Sequence, residues 1–157
     1  MTNKRKYENR KKNLIQYYDA FFQKLKRKHP QIATNKPGIV FNNYVLLVDE
    51  KEAPELEGVG DKRGSNFLID GIFRENKNQI SIYGVTRYTL QYLKQSIRHE
   101  ALHGFLFNAG KEWGDESELF LLMATIYKAR PYGYLIKEGE RDEKGRCGEA
   151  GKTSYRT

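Results

Sequence analysis

Two of the three histidines in this chain stand four residues apart, in His99-Glu100-Ala101-Leu102-His103. On a helix, positions i and i+4 share one face, so both imidazoles can turn toward a single cation. Glu100, directly after the first histidine, faces the same opening, where it could take a proton from a water that the cation activates. This H-E-x-x-H spacing predicts a zinc site with Glu100 as general base and then proton donor to a leaving amine. A catalytic zinc takes three protein donors and keeps one position open. His99 and His103 are two of them.

The third donor has to come from another segment. His29 sits beside Pro30 at the predicted end of a helix, where a surface role is the simplest. Cys147 is the only cysteine. It has no partner thiol for a zinc site or an intramolecular disulfide, which fits a reducing cytoplasm. The acidic residues that open the next predicted helix are the natural source, in the order Glu116, Glu118, Asp115. A helix returning antiparallel brings its first turn beside the last turns of its neighbour. Asp115 and Glu118 have the spacing of a capping box, which would leave Glu116 for the metal. Tyr127, Arg130, Tyr132 and Tyr134 are candidate donors to an oxyanion, and spacing does not choose among them.

The elements that must hold these residues can be read from periodicity. Leu14, Tyr17, Tyr18, Phe21, Phe22 and Leu25 recur at helical spacing and predict an amphipathic helix over roughly 8–28 that packs on the rest of the chain. Residues 39–41 and 44–48 read as strand, the second run apolar enough to be buried on both faces. A long loop over 49–65 follows, then strands over 66–74 and 79–84 joined by a turn at 75–78, a β-hairpin. The motif lies on a helix capped by Thr86 or Thr89 and stopped at Asn108-Ala109-Gly110. Its inward stripe is Leu90, Leu93, Ile97, Ala101 and Phe105, with the histidines off that stripe. Asp115 through Arg130 reads as a further helix with Leu119, Leu122, Met123 and Ile126 inward. The order of elements predicts an α+β protein in three parts: a basic helix at 1–30, a domain at 31–137, and a charged, Gly-rich, disordered tail at 138–157.

Charge is unevenly distributed. Residues 1–30 hold ten Lys/Arg against Glu8 and Asp19, which accounts for the whole net charge of +8. Such a segment could touch nucleic acid or an acidic partner, and a solvated helix face is the plainer account. No apolar run is long enough to span a membrane, and the charged start has no apolar segment of a secretion signal. These features predict a cytoplasmic protein.

The stretch Ser96-Ile97-Arg98-His99-Glu100-Ala101-Leu102-His103-Gly104-Phe105-Leu106-Phe107-Asn108-Ala109-Gly110, with Gly114-Asp115-Glu116 after it, resembles the small single-domain gluzincin-type metallopeptidases of bacterial phages and mobile elements. The likeness covers roughly residues 66–130. It implies a minimal zincin-like fold: a short mixed sheet of about three strands whose edge lines the cleft, an active-site helix and a glutamate-bearing helix. It also implies that His99, His103 and Glu116 bind Zn2+ and that Glu100 is catalytic. The reading is thus a zinc metallopeptidase whose peptide or protein substrate adds as a strand beside Gln79-Ile80-Ser81-Ile82-Tyr83. Its rival is a metal-stabilised binding protein that contacts nucleic acid or a protein through the basic helix. Hydrolysis of a non-peptide amide would use the same residues.

Overall fold

Helix α1 (Asn3–Lys28) opens the computed structural model, which describes residues 2–48, 67–129 and 135–137. It begins five residues before the predicted start near residue 8, because the Thr2 hydroxyl accepts from the Arg5 N–H at 3.1 Å and caps it. Leu14, Tyr18, Phe21, Phe22 and Leu25 are buried, one continuous stripe laid against the rest of the molecule. Polar anchors fix how it lies. The Tyr18 hydroxyl donates to the Pro37 carbonyl at 2.7 Å, and Arg10 donates to the carbonyls of Val85 and Tyr88 at 3.0 and 2.6 Å. His29, expected at the surface, is half-buried at the helix end, where it bonds the Tyr127 hydroxyl at 2.8 Å and packs on Phe105.

The predicted strand over 66–74 is two strands, β3 (Phe67–Ile69) and β4 (Gly71–Arg74), broken at Asp70. With β1 (Gly38–Phe41) and β5 (Gln79–Ile82), β4 forms a small mixed sheet of order β1-β5-β4. β1 runs parallel to β5, and β4 antiparallel to it with Gly71 opposite Ile82 and Arg74 opposite Gln79. The expected hairpin is present; a 3-10 turn at Glu75–Lys77 and Asn78 at φ 47° make its corner. Asparagine tolerates that left-handed conformation. β3 instead pairs with β2 (Leu46–Val48) and β6 (Leu135–Lys137) in an antiparallel sheet of order β2-β3-β6. Among the described residues β2 is therefore an edge strand, and the burial on both faces expected over 44–48 fails at its start, where Tyr44 is 58% exposed and Val45 and Leu46 are half-buried. The loop over 49–65, Arg130, Tyr132, Tyr134 and the tail at 138–157 lie outside the described residues.

Helix α2 (Leu90–Asn108) is capped by Thr89, whose hydroxyl accepts from the Tyr92 N–H at 3.1 Å. Gly110 at φ 72° ends it, letting the Lys111 N–H reach back to the Leu106 carbonyl at 2.9 Å. Leu93, Ile97, Ala101 and Phe105 are buried as expected, but so are His99 and His103, because α2 is enclosed on nearly every side. Helix α3 is shorter than the predicted 115–130: it runs Glu118–Ile126 from a Ser117 cap, whose hydroxyl accepts from the Phe120 N–H at 2.9 Å. Asp115 and Glu118 make no capping box. Nor are Leu119, Leu122 and Ile126 inward, the last two being 57% exposed; Phe120, Met123 and Ala124 are the buried residues.

Among the described residues the fold is α+β, with three helices, a small mixed three-stranded sheet and a second, antiparallel one. No helix among the described residues is long and apolar enough to cross a membrane. α2 meets the segment before β1 at Gly104, where an added Cβ would stand 2.5 Å from Pro37 Cγ. A proline ring cannot swing aside, so Gly104→Ala is expected to destabilise the fold by about 1–3 kcal/mol. Urea unfolding with no shift in midpoint would contradict this packing.

Candidate metal centre

Two columns of α2 build the site. Tyr92, Ser96 and Glu100 follow at i, i+4 and i+8 and face the corner between β3 and β4. There the buried Asp70 carboxylate accepts from the Tyr92 hydroxyl and from the Ser96 hydroxyl, the latter at 3.3 Å. Gly71 completes the corner: an added Cβ would lie 2.8 Å from Ser96 Oγ and 3.1 Å from Glu100 Cγ. The missing side chain is the space in which Glu100 sits. Glu100 itself is only 3% exposed.

His99 and His103 form the second column, facing α3 and the loop before it. Phe120 seats both rings: His103 stacks on it with centroids 4.0 Å apart and planes within 6°, and His99 meets it edge-on at 4.9 Å. His103 Nδ1–H donates to the Trp113 carbonyl. That bond leaves the other ring nitrogen as the acceptor, the arrangement found behind metal-bound imidazoles. Trp113 packs in turn on Phe73 and Phe107.

The two Nε2 atoms lie 3.0 Å apart, and Asp115 Oδ1 lies 3.1 Å from His99 Nε2 and 2.9 Å from His103 Nε2. Ser117 holds the loop that presents this carboxylate, its N–H bonded to the Gly114 carbonyl and its hydroxyl to the Glu112 carbonyl. Glu100 Oε2 stands 4.0 Å from His99 Nε2. Three acceptors so close repel one another unless a proton or a cation lies among them. The electrostatics agree. Burial alone would lower the pKa of His103, but the hydrogen bond and charge of Asp115, with Glu100 behind them, outweigh it and hold the imidazole above its ordinary range. Burial would likewise raise Asp115, yet the two imidazoles hold its carboxyl far below the usual carboxylate range. Asp115 keeps 38% of its side chain exposed, so the pocket opens on that side.

The donor set fits a metal. Tetrahedral donors about 2.0–2.1 Å from a zinc-sized ion stand about 3.3 Å apart, close to the observed triangle. The buried His99, Glu100 and His103, whose donor atoms lie within 4.8 Å of one another, also form a group that could hold a metal ion. A divalent charge would also balance the two carboxylates that approach it.

The structure brings together His99, Glu100 and His103 as the spacing predicts, but the carboxylate beside the two nitrogens is that of Asp115. Glu116 is exposed and lines an open groove of about 630 Å3 with Trp113 and Ser117, and Glu118 is exposed in the first turn of α3. Tyr127, offered as an oxyanion donor, is bonded to His29. Arg98, within the H-E-x-x-H context, ties helices together by donating to the Tyr17 hydroxyl and the Lys128 carbonyl. Phe120 and Trp113 escaped the sequence reading. Ser117 as an alternative cap was the signal that could have released Asp115 and aimed Phe120. Compared with known proteins, the chain matches no family, no curated sequence and no solved structure.

Metal content should fall to background in His103→Ala while the protein stays folded; content equal to wild type would remove His103 from the site. The ion must displace the proton that the raised pKa keeps on His103. Affinity should therefore climb by up to about tenfold per pH unit below that pKa and level off above it. Chelator competition from about pH 6 to 8 tests the sign. Affinity that is flat or falls with pH across that range would refute it.

Proposed function

We propose that the protein is a zinc-dependent metallopeptidase in which His99, His103 and Asp115 hold the ion and Glu100 is the general base. One observation carries the reading. Asp115 Oδ1 completes a triangle with the two imidazole nitrogens, while Glu100 Oε2 stands just outside it, 4.0 Å from His99 Nε2. That offset suits a proton acceptor beside a water better than a ligand. Two imidazoles and one carboxylate favour zinc over the oxygen-seeking ions magnesium and calcium. Non-haem iron uses a similar set, and the buried base next to the donors favours hydrolysis over oxygen chemistry.

Zinc, when bound, lowers the pKa of water to about 7 and polarises the peptide carbonyl. Glu100 receives the proton of the attacking water and passes it to the leaving amine. Its seat against Gly71 keeps its carboxylate aimed, and Phe120 and Trp113 keep the imidazoles from turning. The substrate strand belongs beside β4 and not, as the sequence reading had it, beside β5. Both edges of β5 are taken, by β1 and β4, whereas among the described residues β4 has its outer edge unpaired. An extended peptide on that edge would run from Gly71, at Glu100, to Phe73, at Trp113. Glu116, the ligand implied by resemblance to gluzincins, would then flank the opening.

Glu100→Gln should retain zinc and lose about 10²–10⁴-fold in hydrolysis of an unfolded protein substrate. Asp115→Asn should lose most of its zinc, and Glu116→Gln should keep both zinc and activity. Full activity in Glu100→Gln would overturn the mechanism. Zinc kept in Asp115→Asn but lost in Glu116→Gln would return the third ligand to Glu116. A wild type that holds metal without hydrolysing any peptide would favour a metal-stabilised binding protein.

A further inference from the structure

The whole net charge of the chain comes from residues 1–30, and α1 shows what that charge faces. Its apolar stripe is spent on the core, so an amphipathic helix that lies in a membrane is not what remains outside. Arg10 is spent too, on the carbonyls of Val85 and Tyr88. Lys4, Arg5, Lys12, Lys26, Arg27 and Lys28 are exposed, and Glu8 is the one exposed acid on the helix. Asp19 is bound by Lys36 at 2.6 Å.

Arg5, Lys12, Lys26 and Arg27 fall within about 100° of one another round the helix, and Arg5 to Arg27 spans about 33 Å of its axis. That length matches about one turn of duplex DNA. Between the basic ends the exposed uncharged positions are Asn9, Asn13, Gln16, Ala20 and Gln23, and none of the exposed large apolar residues lies on α1. Protein interfaces draw their affinity from buried aromatic and apolar anchors, which this face lacks. A phosphate backbone asks only for cations and hydrogen-bond donors at intervals along a line.

From this we propose that the outer face of α1 is a docking surface for duplex nucleic acid, read through its backbone and without sequence preference. The proposal does not depend on the peptidase reading, because none of these residues belongs to the metal centre.

The test is fluorescence anisotropy of a labelled duplex of about 20 base pairs with the full chain. Wild type should bind, and with about five phosphate contacts its affinity should drop roughly 500-fold between about 50 and 200 mM salt. The combined variant Arg5→Gln, Lys12→Gln, Lys26→Gln and Arg27→Gln should lose at least about tenfold at the lower salt and flatten the salt slope. Its circular dichroism and metal content should be unchanged, and Glu100→Gln should bind the duplex like wild type. No binding at low salt, or equal binding by the fourfold variant, would overturn the proposal. So would tighter binding to poly-glutamate or to phosphatidylserine vesicles than to the duplex, which would assign the face to an acidic protein or a membrane.

Discussion

Two imidazole nitrogens 3.0 Å apart, with a carboxylate oxygen about as far from each, cannot share that space as bare acceptors. A proton or a cation has to sit among them, and the surroundings are arranged around that requirement. Phe120 and Trp113 wall the imidazoles with rings, where water cannot relieve the repulsion. The raised His103 and depressed Asp115 record the same demand in protonic form. A proton meets it partly. A divalent ion meets it while also balancing Glu100.

The fold answers by committing the two columns of α2 to different neighbours. One column, Tyr92-Ser96-Glu100, is locked into the corner at Asp70 and Gly71 by hydrogen bonds and by the want of a side chain. The other, His99-His103, faces a loop and a short helix. Rotation of α2 about its axis would break one set of contacts to improve the other, so Glu100 and the histidines are set at a fixed angle to each other. α1 and Arg98 reinforce this from behind, where Tyr17 and Lys128 meet the guanidinium.

Local signals were legible in the sequence wherever local physics decided the outcome. The Thr89 cap, the Gly110 stop, the hairpin corner and the pairing of His99 with His103 all follow from spacing within a few residues. What escaped was decided by distant partners. Asp70 splits one apolar run between two sheets because Tyr92 and Ser96 bond it, and nothing near Asp70 in the chain announces that. β6 was missed because its pairing partner, β3, lies far back in the sequence. Around α3 the residues Leu119, Phe120, Leu121, Leu122, Met123 and Ile126 are apolar on all sides, so periodicity could not name the buried face. The carboxylate that the structure sets beside the two imidazoles was hard to single out for a related reason. Asp115 and Ser117 both suit a helix cap, and only the structure shows Ser117 taking that role and leaving Asp115 for the histidines.

Asp115 lies sixteen positions from His99 and twelve from His103. Closing a loop of that length costs about 2 kcal/mol of chain entropy, and the cost grows only slowly with length. Gly110 supplies the reversal, and no strand need be in place for the three donors to meet. The centre is therefore a local closure in a molecule whose sheets pair over long separations. A cation that ties its ends would draw α2 and the start of α3 together early in folding, giving the slower strands a formed surface on which to assemble.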